Sequence, residues 1–205
     1  MKAPILVWVL AGAFLLLVAS LLIGSLSSPE FPPYPVTRPG EPAADSLYTL
    51  DASPGDRWQR FHFARRAVVD SGPWDIAFRR NHVITAPGAG AIDLGPASFA
   101  LVEDVPAEGY AQTTFEGDST NPAIGKWYSY SMLSHLLTTK HHVYAVRTVD
   151  GRFVQLEFLA YYCREVGAAC YTIRYKTSRP RTTGSPGARE QLDRGVTWRR
   201  QAAGS

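Results

Sequence analysis

Residues 153–163 read FVQLEFLAYYC and residues 170–176 read CYTIRYK, and these two stretches decide the fold class. Side chains alternate across a strand, so Val154, Leu156, Phe158, Ala160 and Tyr162 make one apolar face of the first stretch. Phe153, Gln155, Glu157, Leu159, Tyr161 and Cys163 make the other. An antiparallel pairing with Cys163 opposite Cys170 sets Tyr162 against Tyr171, Ala160 against Ile173 and Phe158 against Tyr175 on the apolar face. On the opposite face it sets Tyr161 against Thr172 and Glu157 against Lys176, an opposite-charge pair. A slip of one residue would turn both apolar faces the wrong way. Directly opposed cysteines have the separation that a disulfide needs. The expectation is a Cys163–Cys170 bridge, which suits an oxidising, extracytoplasmic compartment.

Working outward, Val149-Asp150-Gly151 carries the Asp-Gly turn signal. A three-residue loop with Gly151 in the left-handed region pairs Val146 with Val154 and Tyr144 with Leu156, whereas a two-residue loop would turn Arg147 onto the apolar face. The favoured register places His142 on the core-facing side near Phe158 and His141 on the other. Further upstream, Trp74, Ile76 and Phe78 share a face, and Phe61 and Phe63 alternate with Arg60, His62 and Ala64. Residues 85–97 are rich in Gly and Pro and read as loop. The body is therefore expected to be all-β, built from antiparallel sheets and hairpins.

The amino-terminal stretch is of another kind. Ile5 to Ile23 reads ILVWVLAGAFLLLVASLLI, and residues 3–28 contain no ionisable side chain. About 20 apolar residues in a helix cross the roughly 30 Å hydrocarbon layer. A cleaved signal peptide is the rival, but its apolar run is usually about 7–15 residues. The expected organisation is a transmembrane anchor over 1–28, a Pro-rich extended spacer over 29–56, a β-domain over 57–176 and a basic tail over 177–205. Six prolines in PEFPPYPVTRPGEP (29–42) favour a stiff polyproline II spacer, or a segment lying along a neighbouring surface. Lys2 before the helix and mixed charge after it favour a cytoplasmic amino terminus and a periplasmic domain on the bacterial inner membrane.

The net charge of +3 is concentrated in the tail, where six Arg face one Glu and one Asp. The remaining 176 residues are close to neutral, which argues against nucleic acid as a partner. Two cysteines exclude a disulfide-dense miniprotein and a four-cysteine metal site.

The blocks FHFARRAVV, PWDIAFRRNHVIT, KWYSYSMLSH, VYAVRTVDGRFVQLEFLAYYC and CYTIRY together resemble the HmuY-like family, over about residues 58–176. These are bacterial cell-envelope β-proteins whose founding members bind haem. The resemblance implies an all-β fold, an exported location and haem as a possible cofactor. Founding members hold their haem iron with paired His or Met from loops, and are tethered by a lipidated Cys where this chain has an apolar helix.

Haem ligation needs imidazole or thioether groups entering an apolar pocket. Candidate ligands are Met132, His135, His141 and His142; the first two would share a face if YSYSMLSHLL were helical. The competing reading makes His142 a core histidine and His141 a solvated one. A zinc site is disfavoured, because adjacent strand residues such as His141 and His142 face opposite ways. The sequence contains no HExxH, P-loop or nucleophile elbow, so no enzyme is expected. In the tail, Arg179, Arg181, Arg189, Arg194, Trp198, Arg199 and Arg200 are candidate partner-binding residues, since Arg and Trp favour interface hot spots. The leading expectation is a non-catalytic accessory subunit docked on a larger integral-membrane complex, such as an energy-transducing assembly, with the bilayer contacted through residues 3–26. The alternative is a tethered haem-binding module.

Overall fold

The computed structural model describes residues 3–26, 28–43 and 46–181. It opens with helix α1 (Ala3–Ser25), followed by β1 (Leu47–Asp51), β2 (Gln59–His62), β3 (Ala67–Val69), β4 (Ile76–Arg79), β5 (His82–Thr85) and β6 (Gly90–Asp93). Then come β7 (Asp104–Pro106), β8 (Tyr128–Tyr130), β9 (Leu137–Thr139), β10 (Val143–Arg147), β11 (Phe153–Cys163) and β12 (Gly167–Arg181). One sheet has the order β1-β12-β11-β10-β6, with β7 parallel to the far end of β12. A second sheet is β3-β2-β4-β5, and β8 and β9 form a separate hairpin.

The core lies between the two larger sheets. From the first come Tyr48, Leu50, Tyr144, Val146, Leu156, Phe158, Tyr171 and Ile173; from the second come Phe61, Ile76 and Phe78, all with at most 2% exposure. Trp127 closes this core from the side, with its ring 5.3 Å from Phe158 and 5.0 Å from Tyr171. Its indole N–H donates to the Asn81 carbonyl at 3.1 Å. The buried carboxylate of Asp75 links the layers by accepting from the backbone N–H of Phe63 (2.8 Å) and of Val149 (3.1 Å). Burial raises the Asp75 carboxyl above its ordinary range, with those two donors opposing the shift.

The β10–β11 hairpin has the expected register, Val146 opposite Val154 and Tyr144 opposite Leu156, with Gly151 at φ 80°. The β11–β12 pair does not. Phe158 faces Ile173, Leu156 faces Tyr175, and Glu157 faces Arg174 instead of Lys176, a slip of two residues from expectation. A slip of two preserves which side chains face the core, so hydrophobic alternation cannot detect it. Its cause is a pair of irregularities between Phe158 and Tyr162, with Ala169 at φ 65°. Cys163 consequently pairs along the ladder with Gly167, yet the bulge brings Cys170 beside it and the Cys163–Cys170 disulfide forms, at a Cα separation of 5.7 Å.

Both flanks of the β-domain are longer than the sequence suggested. Strand β1 lies inside the stretch read as spacer and pairs with β12 along its whole length. The preceding residues are bonded to the domain: Thr37 N–H to Thr49 O at 2.8 Å, Gly40 N–H to Val68 O at 3.2 Å and Ala43 N–H to Arg66 O at 2.8 Å. The proline run is thus a strap along the body rather than a stand-off. At the other end β12 continues to Arg181, five residues into the segment read as tail.

Candidate functional site

The strap and the end of the large sheet enclose a groove. Residues 28–33, immediately beyond α1, form one wall, and β9 with the last turns of β11 forms the other. Its volume is about 570 Å³, within the size range of small-molecule sites. Phe31, Leu137, Leu159, Tyr161, Tyr162 and His141 line it. The aromatic wall is held rigidly: Tyr161 lies 5.2 Å from both Trp127 and Tyr171, and the Tyr162 hydroxyl accepts from the Leu137 N–H at 2.9 Å. Burial pushes the Tyr161 phenol up to about 12.

His141 supplies the groove's imidazole. Its side chain is 60% exposed, with Nδ1 3.8 Å from Glu157 and Nε2 2.9 Å from the Thr139 hydroxyl. Glu157 is also held by Arg174 Nη2. The backbone at His141 has φ 51°, a left-handed conformation uncommon outside glycine that recurs at functional sites. This turn also ends the alternation expected there. Strand β10 begins only at Val143, so Tyr144, not His142, reaches Phe158, at 5.5 Å between rings. His142 is half-buried at the sheet edge, its Nδ1 3.0 Å from both carboxylate oxygens of Asp93. A carboxylate on Nδ1 fixes an imidazole's orientation and directs Nε2 outward. Asp93 had no motif to mark it.

The other two expected ligands lie elsewhere. Residues 126–140 form a hairpin, not a helix, with Met132 and His135 in the turn between β8 and β9. Met132 is 73% exposed, and His135 sits at φ 56° with its Nδ1 bonded to the Tyr130 hydroxyl. Five residues, including all of β9, lie between His135 at the hairpin turn and His141, and each imidazole has its own partner: Tyr130 for His135, Thr139 and Glu157 for His141. The structure therefore does not bring Met132 or His135 together with His141 or His142 as an axial pair. Arg179 and Arg181 are exposed at the end of β12 beside β7. Arg189, Arg194, Trp198, Arg199 and Arg200 lie outside the described residues. No group of three or more His, Cys, Asp or Glu side chains is placed to hold a metal ion among the described residues.

An accessible imidazole beside an aromatic and aliphatic slot suits a flat, mostly apolar ligand that takes a nitrogen donor. Sequence-level features that could have located the slot were few. Phe31 lies inside a proline run, and Leu159 sits on the face of β11 opposite the core.

No protein-family model matches this chain, and no curated protein matches it. Solved structures do match. A protein from Bacteroides vulgatus described as HmuY-like and haem-binding superposes with a TM-score of 0.53 at 18% identity, covering 63% of this chain and 89% of that one. The apo form of a HmuY analog from Tannerella forsythia matches with a TM-score of 0.54 at 14% identity, over 66% and 95% of the two chains. A protein from Bacteroides fragilis described as a lipoprotein gives 0.52 at 17%, over 63% and 86%. The β-domain has the HmuY-like fold.

Proposed function

We propose that the chain is a membrane-tethered haem-binding module, with the groove beside the strap as its site and His141 as the iron ligand. The carrying observation is the accessible His141 imidazole on an aromatic-lined groove, on a fold shared with proteins described as haem-binding. The donor set suits one axial nitrogen from this chain. Haem would supply an iron centre able to accept that donor. His141 would present Nε2 after giving up its Thr139 bond, while Glu157 steadies Nδ1. Phe31, Tyr161 and Tyr162 would cover the ring and exclude water. Binding and transfer, rather than catalysis, is the activity this reading assigns.

Helix α1 contains a 19-residue span, Leu6–Gly24, long and apolar enough to cross a membrane. We read it as an uncleaved anchor on the bacterial inner membrane, with the domain outside the cytoplasm, where the disulfide is stable. Haemin titrated into the full chain in detergent should give a saturable, shifted Soret band. That band should be lost in His141→Ala and kept in His135→Ala; equal spectra for wild type and His141→Ala would refute the assignment.

The accessory-subunit reading keeps one supporting observation: β12 carries Arg179 and Arg181 exposed at its end, beside β7. It predicts co-purification with integral-membrane subunits that is lost on deleting residues 182–205.

A further inference from the structure

The last turn of α1 touches the β8–β9 hairpin. Gly24 is buried although Leu21 and Ile23 just before it are exposed. A Cβ placed on Gly24 would lie 2.5 Å from the Leu133 carbonyl oxygen and 2.9 Å from the Leu133 Cβ. Only glycine permits this approach, because the obstructing atoms are backbone or the Cβ fixed to it, not the movable end of a side chain. The hairpin tip is therefore fixed at the level where the apolar helix ends.

The tip is built to meet lipid. Met132 and Leu133 are 73% and 51% exposed, and Leu26, just past the end of α1, is 81% exposed. Residues 127–139, WYSYSMLSHLLTT, contain no charged carboxylate or amine, and Lys126 and Lys140 flank them on both sides. Tyr130 is half-exposed just behind the tip. Apolar residues with Tyr behind them and Lys further back is the depth order of an interfacial element, with Lys suited to anionic headgroups. Three of the tip's backbone N–H groups are paired within it, which lowers the cost of leaving bulk water: Ser131 N–H donates to Leu136 O at 3.0 Å, His135 N–H to Ser131 O at 2.9 Å and Ser134 N–H to Ser131 Oγ at 3.2 Å.

We propose that the 131–136 tip dips into the interfacial layer of the bilayer that α1 spans, making a second membrane contact that holds the domain in one orientation. The inference rests on the reading of α1 as an anchor. Because both cysteines are in the disulfide, a single introduced cysteine can carry an environment-sensitive fluorophore. The full chain would be reconstituted in phosphatidylcholine–phosphatidylglycerol vesicles, with and without lipids bearing an acyl-chain nitroxide. Labels at Met132→Cys and, within α1, at Leu16→Cys should be blue-shifted and quenched; a label at Val149→Cys, at the opposite end of β11, should be neither. Adding Gly24→Val should relieve quenching at position 132 and leave it unchanged at 16. Quenching at 16 with none at 132 would overturn the inference while leaving the anchor intact. No quenching at 16 would remove the anchor and the inference with it.

Discussion

Replacing Trp127 tests the packing that supports the groove. The side chain has no solvent exposure and its ring stands 5.0–5.3 Å from those of Tyr128, Phe158, Tyr161 and Tyr171. Truncating a buried aromatic to alanine costs about 3–5 kcal/mol. Trp127→Phe keeps most of the packing but leaves the part-buried Asn81 carbonyl without its 3.1 Å donor. An unsatisfied buried acceptor costs about 1–3 kcal/mol. Urea unfolding followed by circular dichroism in detergent should place Trp127→Phe between wild type and Trp127→Ala. Against a total stability of about 5–15 kcal/mol, the alanine variant should lose about a fifth of its margin or more, and Tyr161 and Tyr162 should lose their fixed place on the groove wall. A cost under about 1 kcal/mol for Trp127→Ala, or equal costs for the two variants, would refute the claim that this indole wedges the hairpin against the sheet.

Other consequences can be measured in the same assay. Removing the disulfide with Cys163→Ala and Cys170→Ala together opens a loop of sequence separation 7; loop-closure entropy puts the loss at about 2.5 kcal/mol, and an unchanged urea midpoint would contradict it. Asp75→Ala strands the buried N–H of Phe63 and the part-buried N–H of Val149, for an expected loss of about 2–4 kcal/mol; a neutral variant would show that the carboxylate does not tie the layers. Burial raises Tyr110, Tyr161 and Tyr175 from 10.0 to about 12. Their protons stay on in the folded state while the unfolded chain releases its own, so their contribution is complete below pH 10 and is lost as pH rises towards 12. Alkaline titration read by phenolate absorbance should therefore show these groups ionising together with unfolding; early ionisation with the fold intact would contradict it.

What could be read in the sequence was set by local periodicity. The alternation around Phe158, Ile76 and Phe61 gave the all-β class and the core faces, and Asp150-Gly151 gave one hairpin register to the residue. Cys163 and Cys170 were rightly paired, through a ladder that turned out two residues away, because the bulge at Ala169 moves a cysteine in a way no alternation encodes. The site was less legible. Its groove is made by residues 28–33 folding back on β9 and β11, a contact between segments more than a hundred residues apart. The composition of the strap signalled only stiffness. Adjacent histidines suggested opposite faces of one strand; the left-handed turn at His141 and the Asp93 partner of His142 came from tertiary structure.

The account stands most directly on whether the chain carries haem through His141. The full-length protein would be purified in mild detergent from cells supplied with haem, and its haem content per chain measured as the pyridine haemochrome. One haem per wild-type chain and close to none in His141→Ala is the predicted result. Haem-free wild type, or a variant that carries as much as wild type, would contradict it.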